Sequence, residues 1–181
     1  MHPNEYFEKL KLAADHAPLK SIESAIKLIN ETLTNNKSIF VCGNGGSALT
    51  ASHYVTDWGK MRWVNTSSQF KVMCLSDNVG MLTAYANDIS YDEVFSNALR
   101  NYGSIGDTLI VVSGSGNSNN IIRALKTAHE MKIATIGVCG FDGGEVKQTA
   151  QVPVHFPVSD MQIVEDLHLS FGHVVMKALC R

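Results

Sequence analysis

Five short apolar runs separated by helix-length segments constrain the fold of this chain more than any other feature. The runs lie at 38–42, 70–75, 108–112, 134–138 and 152–156. Strands that alternate with helices indicate βαβ units, and such units form a mainly parallel sheet covered on both faces. The sequence therefore predicts an α/β fold with a mainly parallel five-stranded sheet flanked by helices.

Helical periodicity marks both ends of the chain. Apolar residues recur at helical spacing over about 4–14 and 19–35, and again over about 161–179. A chain of 181 residues fits one domain. We therefore predict a single domain over residues 1–181, in which N-terminal helices at 1–36 extend an α/β sandwich at 37–181.

Charge, hydropathy and cysteine spacing exclude several classes of protein. The net charge is −2, so the chain lacks the cationic surface typical of nucleic-acid binding. No stretch approaches the roughly 20 apolar residues of a membrane span. The four cysteines are far apart and fit neither a zinc finger nor a disulfide framework. We expect a cytosolic protein with reduced thiols and with no nucleic-acid or membrane partner.

A glycine-rich turn follows the first predicted strand. The turn is Gly43-Asn44-Gly45-Gly46-Ser47, and a helical stretch begins after it. Glycines allow a close backbone approach, and the N–H groups at a helix start attract an anion. The turn could also be an ordinary connection, and it partly fits a dinucleotide fingerprint. That fingerprint is weak here because no acidic residue is evident directly after Leu75.

A serine-rich turn follows the third predicted strand. Residues Ser113-Gly-Ser-Gly-Asn-Ser118 precede a predicted helix at 121–131. Hydroxyl and N–H groups at a helix start suit phosphate, although Asn117 or Ser118 could also be a plain N-cap. Ligands of parallel sheets bind beyond the carboxyl ends of the strands. Two such turns together predict a phosphate site.

Two predicted helices carry residues that can ligate a metal. His53 and Asp57 are four residues apart and face the same direction. On the last helix Glu165 and His173 share a face, whereas His168 shares a face only with Glu165. Two imidazoles and one or two carboxylates could hold a divalent metal such as zinc. A histidine on a helix is nevertheless more often a surface or core residue.

The order of these motifs resembles the sugar isomerase (SIS) domain family, and within it the phosphoheptose isomerases. The similarity covers nearly the whole chain. It is carried by Cys42-Gly-Asn-Gly-Gly-Ser-Ala48, His53, Ala86-Asn-Asp88, Ser113-x-Ser-Gly-Asn-Ser118, Gly140-x-Asp-Gly-Gly144 and Glu165-x-x-His-x-x-x-x-His173.

The resemblance implies a site for a phosphorylated sugar and a homotetramer with sites at subunit interfaces. It implies one zinc per subunit at His53, Asp57, Glu165 and His173. The N-terminal helices should pack between subunits, since both are amphipathic. The implied substrate-binding residues are Asn44, Gly45, Gly46, Ser47, Asn87, Asp88, Ser113, Gly114, Ser115, Ser118 and Glu165.

Three residues depart from the pattern of the group. Asp57 stands where Glu is typical, Glu165 stands where Gln is typical, and Gly114 replaces a hydroxyl residue. An aspartate reaches less far, which matters for proton transfer. The added carboxylate strengthens attraction to a cation but repels an anionic intermediate.

The implied activity is conversion of sedoheptulose 7-phosphate to D-glycero-D-manno-heptose 7-phosphate through an enediol. That reaction needs a base, an acid and a stabiliser of oxyanion charge. Asp57 is the candidate base, and His173 is the acid or a metal ligand. Alternatively, Glu165 is the base and Asp57 only a ligand. Two other functions stay open: a non-catalytic phosphosugar-binding SIS regulator, and an isomerase of a different ketose phosphate.

Overall fold

All five predicted strands form one sheet, and every neighbouring pair is parallel. The computed structural model describes residues 2–181. Its elements in chain order are α1 Pro3–Asp15, α2 Leu19–Thr34, β1 Ile39–Gly43, α3 Gly46–Thr66, β2 Val72–Cys74, α4 Val79–Asp88, a 3-10 helix Tyr91–Glu93, α5 Val94–Tyr102, β3 Thr108–Ser113, α6 Asn119–Glu130, β4 Ala134–Cys139, α7 Gly144–Thr149, β5 Val152–His155 and α8 Met161–Leu179. The predicted α/β fold is confirmed.

The strand order β2-β1-β3-β4-β5 places a topological switch point between β1 and β3. Ile39 pairs with Thr108 and Gly43 pairs with Val112, so the two strands end side by side. The chain leaves β1 and β3 towards opposite faces of the sheet, and a crevice opens between the two exits. Ligands of open α/β sheets bind in this crevice.

Side chains on the sheet alternate between two apolar cores. Val41 and Ile110 pack in one core with α2, α3 and α8. Cys42 and Val111 pack in the other with α5, α6 and α7. Strands buried on both faces read as continuous apolar runs, which is why the runs were visible in the sequence.

Close packing joins α3 to α8 across the first core. The indole N–H of Trp58 donates to the carbonyl of Gly172 at 2.9 Å, and the Tyr54 ring stacks on Trp58 with centroids 5.0 Å apart. A Cβ at Gly172 would lie 2.2 Å from the Tyr54 ring, so only glycine permits this approach. The two helices that carry the candidate metal ligands are thereby held side by side.

The N-terminal helices pack on the same face as α8. Ile22 and Ile29 of α2 lie in the first core. Tyr6 of α1 donates its hydroxyl to Asp166 at 2.6 Å, and this bond is the main cause that raises the pKa of Tyr6 to about 12.

The proposed division of the chain at residue 36 stays a prediction. Over residues 2–181, no helix is long and apolar enough to cross a membrane.

Candidate active site

The glycine-rich turn forms the start of α3 at the switch point. Gly45 is the residue that caps the helix, and its φ of +53° lies in the left-handed region. Ser47 follows in the first turn and is buried. The sequence around β1 thus places Asn44 and a helix N-terminus at the crevice.

The serine-rich turn lies on the other side of the crevice. Ser118 caps α6, and the amide of Asn117 donates to the hydroxyl oxygen of Ser115 at 3.2 Å. Gly116 has a φ of +69°, and a Cβ there would lie 2.1 Å from the carbonyl oxygen of Gly143. The turn is therefore braced against the loop that precedes α7.

A cavity of about 170 Å³ lies between the two turns. Its lining consists of Asn44, Ser47, Val112, Ser113, Gly114, Ser115, Ser118, Met161 and Glu165. Seven of these residues are predicted substrate-binding residues. Asn87 and Asp88 lie apart from this lining, exposed at the end of α4, where their side chains bond each other at 2.7 Å. A larger cavity of about 560 Å³ beside β2 has a mostly apolar lining, so size alone does not locate the site.

Gly46 makes room for the carboxylate of Glu165. A Cβ at Gly46 would lie 2.8 Å from Oε1 of Glu165. The carboxylate therefore packs against the first turn of α3, where the helix dipole favours negative charge. Through this contact the glycine-rich turn and the last helix line the same cavity.

Met161 is a lining residue that the sequence did not reveal. A Cβ at Gly114 would lie 2.5 Å from its sulfur, so the thioether fills the space beside that glycine. The available signal was its spacing: Met161 precedes Glu165 by one helical turn and shares its face.

His53, Asp57 and His173 form a second cluster where α3 meets α8. Oδ2 of Asp57 lies 3.2 Å from Nε2 of His53 and 3.6 Å from Nε2 of His173. One ligand atom from each residue lies within 4.8 Å of the others. All three side chains are partly exposed, so an ion can reach them. Two nitrogen ligands and one carboxylate fit a divalent metal such as zinc. The cluster does not include Glu165.

His168 belongs to the core instead. It is 1% exposed, and its ring lies 5.9 Å from that of Phe156. Within residues 2–181, neither ring nitrogen has a hydrogen-bond partner of good geometry. Desolvation lowers the pKa of this imidazole to about 4, although the main chain of Cys139 offsets part of the shift. His168 is therefore a core residue and not a member of the candidate metal cluster.

The side chain of Asn44 is held by two residues that the sequence did not single out. Asn44 and Asn120 exchange two amide hydrogen bonds, each of 2.9 Å. The hydroxyl of Tyr91 donates to Oδ1 of Asn44 at 2.9 Å. These partners come from α6 and from the 3-10 helix, so only the folded chain brings them together.

The strand order and the two turns define a doubly wound α/β domain with a candidate site at the switch point. Residues 5–140 match the SIS domain family. The chain is 35% identical over 158 residues to a phosphoheptose isomerase of Aliarcobacter butzleri, covering 87% of this chain and 83% of the relative. It is 34% identical over 167 residues to that of Clostridium acetobutylicum, covering 92% and 85%.

A solved structure has the same architecture. The phosphoheptose isomerase GmhA from Neisseria gonorrhoeae superposes with a TM-score of 0.90 at 30% identity, covering 97% of this chain and 95% of that one. The chain belongs to the SIS domain family and, within it, to the phosphoheptose isomerases. The resemblance inferred from the sequence is confirmed.

Proposed function

We propose that the chain is an aldose–ketose isomerase that converts sedoheptulose 7-phosphate to D-glycero-D-manno-heptose 7-phosphate through an enediol. The observation that carries this proposal is the pairing of two sites along α3 and α8. The hydroxyl-lined cavity lies at one end, with Ser47 and Glu165, and the His53–Asp57–His173 cluster lies further along. The named relatives are phosphoheptose isomerases.

The spacing of the two sites suits a long sugar phosphate. Ser47 and His53 are six residues apart, which is about 9 Å along a helix axis. Glu165 and His173 are eight residues apart, or about 12 Å. The six C–C bonds of an extended heptose span roughly 7–8 Å at ordinary bond lengths, and the phosphoester adds more. A phosphate at C7 can therefore sit in the cavity while C1 and C2 approach the cluster.

The phosphate end would be held by neutral donors. The cavity lining includes four serines, and the starts of α3 and α6 flank it. Hydroxyl groups, main-chain N–H groups and helix N-termini stabilise an anion without a lysine or arginine. Val112 and Met161 add apolar side chains to this lining.

The reacting end would move one proton from C1 to C2. Asp57 takes the proton from C1, and the C–H electron pair forms the C1–C2 double bond. The carbonyl electrons pass to O2, which takes a proton from His173. Asp57 then returns its proton to C2, and His173 regains a proton from O1, which gives the aldose. Glu165 remains the alternative base, since it lines the cavity.

The expected zinc would be held by His53, Asp57 and His173. The predicted fourth ligand, Glu165, lies on the cavity lining outside this cluster. A divalent cation supplies Lewis-acid stabilisation of oxyanion charge. The residues themselves orient one another: the carboxylate of Asp57 lies between the two imidazoles. These contacts orient both imidazole rings and the carboxylate relative to one another.

We also propose that the chain forms a homotetramer in the cytosol. Phe7 and Leu12 of α1 are 66% and 59% exposed, and Leu49 and Trp63 of α3 are 75% and 60% exposed. Such apolar side chains on two helices of one face suit burial by other subunits. The absence of a nucleic-acid partner stays a prediction from the net charge.

The proposal is tested by incubating the protein with a panel of C5–C7 ketose phosphates in D₂O. We expect aldose formation and deuterium uptake with sedoheptulose 7-phosphate, and at least about a hundredfold slower turnover for Asp57→Asn. Activity on a shorter ketose phosphate alone would identify a different isomerase. Binding without turnover by any member of the panel would identify a non-catalytic sugar-phosphate binder.

Two variants test the parts of the site. Replacing Ser115 and Ser118 by Ala should weaken sugar-phosphate binding at least about tenfold, at ~1 kcal/mol or more per lost bond to a charged group. Ser24→Ala, an exposed serine on α2, is the matched control. His173→Ala should lose zinc in elemental analysis, whereas exposed His129→Ala should keep it. A metal-free active enzyme would remove zinc from the proposal.

A further inference from the structure

We infer that Asn120 is a positioning residue for substrate binding. With Tyr91 it holds the carboxamide of Asn44 so that one N–H group of that amide is left for the substrate. This inference rests on the proposed function, because it assigns Asn44 a role at the phosphate end of the sugar. Asn120 itself does not line the cavity.

The hydrogen-bond capacity of Asn44 is almost fully used. Its Oδ1 accepts from Nδ2 of Asn120 and from the hydroxyl of Tyr91, each at 2.9 Å. Its Nδ2 donates to Oδ1 of Asn120 at 2.9 Å. An amide oxygen has two acceptor sites and an amide nitrogen has two donors. The oxygen is therefore saturated, and a single N–H group remains.

Burial of Asn120 holds the Asn44 carboxamide in this orientation. Asn120 is 2% exposed and is the second residue of α6. A buried amide that loses its partner is strongly disfavoured, so the paired arrangement persists. The pair also ties the turn after β1 to the helix capped by Ser118. Both sides of the switch point are thus fixed relative to each other before a ligand binds.

A fixed donor is what the phosphate end of the substrate requires. Asn44 lines the cavity proposed to hold the phosphate, together with four serines. The remaining N–H group of its amide adds a neutral donor for the anion, whereas the amide oxygen of a rotated Asn44 would repel it. Asn120 therefore acts through Asn44 and does not touch the substrate.

A double-mutant cycle tests this assignment. The variants are Asn44→Ala, Asn120→Ala, Tyr91→Phe and the two doubles with Asn44→Ala, with sedoheptulose 7-phosphate as substrate. Asn120→Ala should raise KM about 5- to 10-fold and change kcat less than about threefold, because the donor holds the phosphate and not the reacting carbons. Asn119→Ala, the exposed neighbour on α6, should retain wild-type kinetics.

Non-additivity is the decisive result. If Asn120 acts through Asn44, each double variant should have a KM no higher than that of Asn44→Ala alone. Losses that multiply in both cycles overturn the inference while leaving the proposed function intact. If Asn120→Ala does not fold, the Tyr91 cycle decides, since Tyr91 is 49% exposed and its hydroxyl is removed without a cavity. An inactive wild type overturns the proposed function and this inference together.

Discussion

The buried imidazole of His168 should make the fold sensitive to mild acid. In the unfolded chain this group has its ordinary pKa of 6.5, and burial lowers the pKa to about 4 in the folded state. The unfolded state therefore binds the proton first. The stability due to the neutral ring is fully present above the unfolded pKa and is lost as the pH falls through the folded pKa.

The size of the effect follows from the two pKa values. One pKa unit corresponds to about 1.4 kcal/mol, so the full shift is worth about 3 kcal/mol. At about pH 5 the unfolded imidazole is almost fully protonated and the folded one is mostly neutral, and about 2 kcal/mol of stability is already lost. The hydroxyl of Tyr54 on α3 donates to the main-chain carbonyl of His168 on α8. Unfolding around His168 would therefore also break a contact between α3 and α8.

Urea unfolding at about pH 7.5 and about pH 5 measures this loss. We expect His168→Leu to lose about 2 kcal/mol less than the wild type between the two conditions, because its side chain does not titrate. The control His129→Leu removes an exposed histidine on α6 and should lose as much as the wild type. Equal losses in wild type and His168→Leu would refute the reasoning.

Three further predictions concern packing and charge around the site. Gly172→Ala should destabilise the fold by about 1–3 kcal/mol, since its Cβ would lie 2.2 Å from the Tyr54 ring; thermal unfolding checks this. Gly114→Ser should weaken sugar-phosphate binding in calorimetry because it displaces Met161 into the cavity, and Met161→Ala in the same chain should restore it. Glu165→Gln should bind the sugar phosphate about fivefold more tightly, since a nearby like charge costs about 1 kcal/mol; weaker binding would contradict this.

The strands β1, β3 and β4 were predictable because each is an apolar run buried on both faces. The run at 70–75 gives a shorter strand than its length indicates, since β2 spans only Val72–Cys74. This strand lies at the edge of the sheet and pairs with β1 alone. Helices α4, α5 and α7 were not placed individually, because they are 10, 9 and 6 residues long and give little periodic signal.

The two candidate phosphate-binding turns were predictable for a different reason. Their glycine and serine residues are consecutive in the sequence, and the strand before each turn places it at the carboxyl edge of the sheet. Met161, Tyr91 and Asn120 could not be found in this way. Each acts through contacts with residues distant in the chain, and their types are common at helix surfaces and starts.

The two unusual carboxylates of this chain have separate stabilising partners. At a common point Asp57 and Glu165 would repel each other, and one would tend to hold a proton. In the fold, Asp57 lies between two imidazoles, and Glu165 packs against the first turn of α3 beside Gly46. A protonated imidazole and a helix N-terminus each favour a carboxylate. The absence of a side chain at position 46 therefore leaves room for the Glu165 carboxylate beside the helix start, and a Cβ there would displace its Oε1.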